Sequence, residues 1–116
     1  MRRPILLALP LCALPAACSG QPGWRTRETA AAEAKVRELI NDPAATFSAE
    51  QVTGDDQTGQ TCGVVHSHTA APRRFVVYID GTAGPFIEGG QGTAFNELFD
   101  RAWTNDCLDE GYKPPR

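Results

Sequence analysis

The chain has 116 residues, 41% of them hydrophobic and 22% charged, which leaves room for one folded domain. Its formal net charge of −3 excludes the broad basic face that nucleic-acid binding needs. With two histidines and four cysteines it has few residues for metal or redox chemistry.

In chain order, the first element is a targeting segment. "MRRPILLALPLCALPAAC" places Arg2 and Arg3 before a mostly apolar run from Ile5, which ends at the small residues Ala16 and Ala17. This is a secretory signal layout, and the run is too short to span a bilayer. Residues 1–17 are read as the signal peptide. "LPAAC" resembles the lipobox of bacterial lipoproteins, in which the cysteine after the small residues is lipidated and becomes the first residue. Ala16, Ala17 and Cys18 match that box, while Pro15 stands where an aliphatic residue is usual. The resemblance implies a membrane anchor at Cys18. Ser19 in place of aspartate implies sorting to the outer membrane, facing the periplasm, under the enterobacterial rule. The alternative is ordinary cleavage beside Cys18, which leaves a soluble periplasmic or secreted protein. Loss of Arg2 and Arg3 leaves 9 basic against 14 acidic residues, a formal charge of −5.

Residues 18–25 read as a tether rich in Ser, Gly, Gln and Pro, residues 26–112 as a single domain, and residues 113–116 as a frayed tail. "TRETAAAEAKVRELINDP" predicts a helix with Ala32, Val36, Leu39 and Ile40 on its apolar face and Glu33 and Arg37 paired on its polar side. Asn41 and Asp42 before Pro43 stop it. "ATFSAEQVT" predicts a strand, and "GDDQTGQ" a hairpin tip. The aspartates of that tip lack the ligand spacing and closing glutamate of a calcium loop. "TCGVVHSH" and "RRFVVYID" predict two further strands, and "PFIE" a short edge strand. The glycine-rich run after it has no lysine and no nucleotide-loop spacing, so it reads as a connector. The closing helix carries Phe95, Leu98, Phe99 and Ala102 as its stripe, with Glu97 and Arg101 as an i,i+4 pair. The fold class expected is α+β: a small antiparallel meander of three to four strands flanked by an N-terminal and a C-terminal helix.

Cys12 leaves with the signal and Cys18 lies at the cleavage point, so in an oxidising compartment Cys62 and Cys107 are expected to form one disulfide. Chain-entropy arguments put its stabilisation at roughly 4 kcal/mol.

The run "AKVRELINDPAATFSAEQV", followed by a "CG" strand and "RRFVVYIDG", resembles a family of small exported bacterial proteins of unknown function. In that family a helix leads into a "DPxSAxF" segment, a "CGxVNxKN" strand and a "GGY" element. Asp42, Pro43, Ala45, Phe47, Cys62, Gly63, Val65 and Phe75 match. His66, Ser67 and His68 replace the asparagine and lysine pattern, and "GGY" is absent. The resemblance implies export and domain boundaries, and no catalytic residue.

A nucleophile would need a base, an orienting acid and a pocket, and no motif of that kind occurs. The carboxylate pairs Asp55/Asp56 and Asp109/Glu110 fall in turn and tail contexts. The expectation is therefore a structural or protein-interaction domain without catalytic activity, needing no cofactor, with another envelope protein as its candidate partner. The alternative is a periplasmic small-ligand or metal-binding module using His66 and His68, with Asp80 from the neighbouring strand as the candidate third ligand. Register decides their surroundings. An even sum of paired residue numbers sets the histidines with Arg74, Val76, Tyr78 and Asp80, and an odd sum sets them with Phe75, Val77 and Ile79. Both favour ordinary strand-end polar residues.

Overall fold

The computed structural model describes residues 23–90 and 93–115, with the side chains of 93–95 excepted. The signal segment, Cys18 and the side chain of Phe95 lie outside the described residues.

Helix α1 spans Trp24–Ile40, so the residues read as the end of the tether, Trp24 and Arg25, already belong to the domain. The helix ends in a left-handed residue, Asn41 (φ 56°). Its N–H donates to Glu38 O, and the N–H of Asp42 donates to Arg37 O, a Schellman closure that satisfies the last carbonyls. Ala32 and Val36 are buried as expected, but Leu39 is 43% exposed. An alanine-rich helix has no dominant apolar stripe to fix its rotation. Here it turns Leu39 to solvent and the Glu33/Arg37 side toward the first strand.

Four strands follow, β1 (Thr46–Thr53), β2 (Gln60–His66), β3 (Arg73–Tyr78) and β4 (Phe86–Ile87), in the antiparallel order β1-β2-β3-β4. Helix α2 (Thr93–Ala102) then passes directly into a π-helical segment, Trp103–Leu108. The result is an α+β fold in three layers, because successive side chains of a strand point to opposite faces and each face meets a different helix. On one face Val65, Phe75, Val77 and Ile87 pack against Ala32 and Val36 of α1, with Phe47 set edge-on to Phe75 at 5.6 Å. On the other face Cys62 and Val76 meet Phe99, Ala102, Trp103, Cys107 and Tyr112. Phe99 stacks on Trp103 at 5.9 Å, and Trp103 meets Tyr112 at 4.8 Å. Arg74 lies over the Phe99 and Trp103 rings and pairs with Glu88 at 2.7 Å. Leu98, expected in the stripe of α2, is 44% exposed, and Glu97 and Arg101 form no ion pair.

Cys62 and Cys107 are joined with S–S 2.04 Å, fixing the π-helical segment to the middle of β2. The C-terminal end is docked rather than frayed at its start. Tyr112 is buried, and Lys113 exchanges two 2.8 Å hydrogen bonds between its backbone and the side-chain amide of Gln51.

The β1–β2 register shifts between Ser48 and Gln51, a bulge with Ala49 at φ 55°. Gly63 lies opposite it. A Cβ there would sit 2.9 Å from Glu50 Cγ and 3.1 Å from Phe75 Cε2, which explains the glycine after Cys62.

Candidate functional site

The residues named for metal binding are not brought together. Gln60 pairs with Tyr78 and Val64 with Arg74, so the even register holds and Asp80 lies beyond the far end of β3 from the histidines. Asp80 Oδ1 accepts from the N–H and Oγ1 of Thr82 and shapes a turn; those bonds draw its carboxyl below the usual range. His68 donates its backbone N–H to Asp42 Oδ2 at 3.0 Å, with its Nδ1 3.3 Å from the same oxygen. That N–H is the largest cause of the lowered pKa of Asp42. Among the described residues no group of three or more His, Cys, Asp or Glu could hold a metal ion.

His66 has a partner that sequence reasoning missed. Its Nε2 lies 2.7 Å from Ser48 Oγ across the β1–β2 ladder. That is nucleophile–base distance, but no carboxylate among the described residues orients the other ring nitrogen and the pair stands on an open stretch of sheet. It is a cross-strand polar pair, visible only once the register is known.

Two of the concave places among the described residues bear on function. The larger is a groove of about 640 Å³ between the first half of α1 and the outer edge of β1, lined by Arg25, Thr29 and Glu33 on one side and Glu50, Gln51 and Val52 on the other. The bulge carries Glu50 inward. Its Oε2 is shut away from solvent without a partner. Burial pushes the Glu50 carboxyl up to about 8, helped by a hydrogen bond and like charge from Glu33 and opposed by the Arg37 guanidinium. Arg37 neutralises little, because its Nε donates to Ala45 O, its guanidinium lies over the Phe47 ring and its Nη1 is 3.9 Å from Glu33. At neutral pH Glu50 therefore favours its protonated form.

The smaller place, about 320 Å³, lies on the other side of the sheet between α2, the π-helical segment and the β3–β4 connection. The Tyr78 hydroxyl donates to Asp106 Oδ2. Burial and that bond raise the Tyr78 pKa and keep the phenol protonated. The wider π-helical turn frees the Asp106 carbonyl, which accepts from Thr53 Oγ1 at 2.9 Å and from Gln60 Nε2. Gln60 Nε2 also donates to Thr53 O at 3.2 Å, so a buried polar chain runs from β1 through β2 to Asp106. None of this is legible from "WTNDC" alone, since nothing in its composition marks a π-helical turn.

No family model, no curated protein and no solved structure matches the chain. Its functional reading rests on its own residues and their arrangement.

Both sheet faces are layered by helices, so the sheet ends in two edge strands, β1 and the two-residue β4. β1 has eight residues and β2 as its one strand neighbour in the described sheet. Its second half, Gln51 and Val52, forms one wall of the larger groove.

Proposed function

We propose that this is a small non-catalytic domain of the bacterial envelope. It is anchored through a lipid on Cys18 after removal of residues 1–17, and it binds an extended segment of another envelope protein along β1. The apolar run ending in "AAC" supports the anchor, and the bonded Cys62–Cys107 pair fits an oxidising compartment. Ser19 supports the periplasmic side of the outer membrane as its place.

The observation that carries the binding reading is the end strand β1 beside the 640 Å³ groove. An end strand offers unpaired backbone groups, and a peptide that adds to it gains ladder hydrogen bonds while its side chains fill the adjoining groove. The bulge at Ala49 interrupts the edge. It confines pairing to the short stretch Gln51–Val52, which favours a short docked segment over open-ended sheet growth.

Photo-crosslinking in cells tests this. A crosslinking residue at Thr29 or Val52 should give one discrete adduct, lost when Ala30→Trp fills the groove, and a crosslinker at Asp100 on α2 should give none. Absence of an adduct from both groove positions, or the same adduct from Asp100, would sink the reading.

A further inference from the structure

The smaller cleft brings together groups with unused bonding capacity. The side chains of Arg101 and Asn105 line it and make no hydrogen bond or ion pair within the described residues. Asp106 uses Oδ2 for Tyr78 and leaves Oδ1 open. Leu98, 44% exposed, and Phe86 supply an apolar wall. The acidic group is also held in place: its backbone carbonyl is fixed by Thr53 and Gln60, its side chain by Tyr78, and the next residue by the disulfide. Small-molecule sites combine these features, a concave and partly apolar wall with a few fixed polar groups.

We propose that this cleft binds a free α-amino acid with an apolar side chain. The chemistry of the lining divides the ligand into three parts. The Arg101 guanidinium takes the carboxylate, for which its planar fork of donors is suited. Asp106 Oδ1, assisted by the Asn105 amide, takes the ammonium. Phe86 and Leu98 take the side chain, and covering Leu98 removes apolar surface from water. The volume of about 320 Å³ admits a molecule of that size. This site is independent of the β1 groove, which lies on the opposite side of the sheet.

Titration of the purified protein with L-leucine, followed by amide chemical shifts, tests the assignment. Saturable shifts are expected at residues 98–106 and at Phe86. Leucine methyl ester, N-acetylleucine and glycine each remove one of the three contacts, and each should bind at least about tenfold more weakly. Arg101→Gln, an exposed change that spares the fold, should weaken leucine by a similar factor. Leu98→Ser should weaken leucine while leaving glycine unchanged. No saturable shift, equal binding of leucine and its methyl ester, or leucine affinity untouched by Arg101→Gln would overturn the proposal.

Discussion

Tyr112 donates its hydroxyl hydrogen to the carbonyl of Ala49, 2.8 Å away, and so ties the C-terminal end of the chain to the bulge of β1. Ala49 holds a left-handed backbone that a residue with a side chain adopts at some expense in free energy. The tyrosine helps to hold the bulge in that state. Tyr112→Phe keeps the ring against Trp103 and removes only the hydrogen bond. It should lower stability by about 1 kcal/mol, measured by urea unfolding, and should broaden or shift the amide signals of Ala49 and Glu50. An unchanged midpoint and unchanged signals would show that the bulge needs no such tie.

Gly63 faces the same bulge from β2. Gly63→Ala places a methyl group 2.9 Å from Glu50 Cγ and 3.2 Å from Glu50 Cα. Part of that clash is with backbone, so relaxation is limited. The substitution should destabilise by about 2 kcal/mol, and a second substitution, Glu50→Ala, should recover a fraction of it. A neutral Gly63→Ala would contradict the close approach.

Glu50 gives the stability a defined dependence on pH. Its folded pKa of about 8 lies above the ordinary 4.5, so between those values the folded chain holds a proton that the unfolded chain releases. Stability therefore falls as pH rises through that window. Asp42, Asp55, Asp80 and Glu88 have lowered pKa values and act oppositely: their contribution is present above the ordinary carboxylate range and is lost as pH falls below it. The optimum should lie near about pH 5. Glu50→Gln, which imitates the protonated acid, should flatten the decline in melting temperature on the alkaline side. Parallel pH profiles for the two proteins would refute the assignment.

The Cys62–Cys107 bond should leave neither cysteine open to a thiol reagent in denatured, unreduced protein. Replacing both with alanine should cost up to about 4 kcal/mol, a large share of what a domain of this size possesses. Two reactive thiols in protein taken from the periplasm would contradict it.

Lipidation of Cys18 should appear as incorporation of a fatty acid analogue in cells, lost in Cys18→Ala. A mature protein without label, beginning at another residue, would exclude the anchor and leave the soluble alternative.

Much of the fold was legible in the sequence because the strands carry β-branched and aromatic runs bounded by turn residues. "RRFVVYID" and "TCGVVHSH" place β3 and β2 to within two residues. Compartment and cysteine count led to the pairing of Cys62 with Cys107. The sites were not legible, for separate physical reasons. The rotation of α1 is set by tertiary packing, which turns Glu33 inward and Leu39 outward against the simplest reading of an alanine-rich helix. The bulge that sends Glu50 beneath that helix depends on a left-handed alanine, a residue with no reputation for that conformation. Asp106 sits in a stretch where the chain passes from α to π geometry without a glycine or proline to announce it.

The disulfide joins residues 45 apart and thereby closes a covalent ring that takes in β3, β4 and α2. The amino-acid cleft is built almost wholly from residues inside that ring. Helix α1, β1 and the groove between them lie outside it and are held to the ring through the β1–β2 hairpin, packing and hydrogen bonds. Tension applied to the chain before Trp24 would reach α1 and β1 before the ring, so the helix and the first strand can yield while the ring keeps its shape.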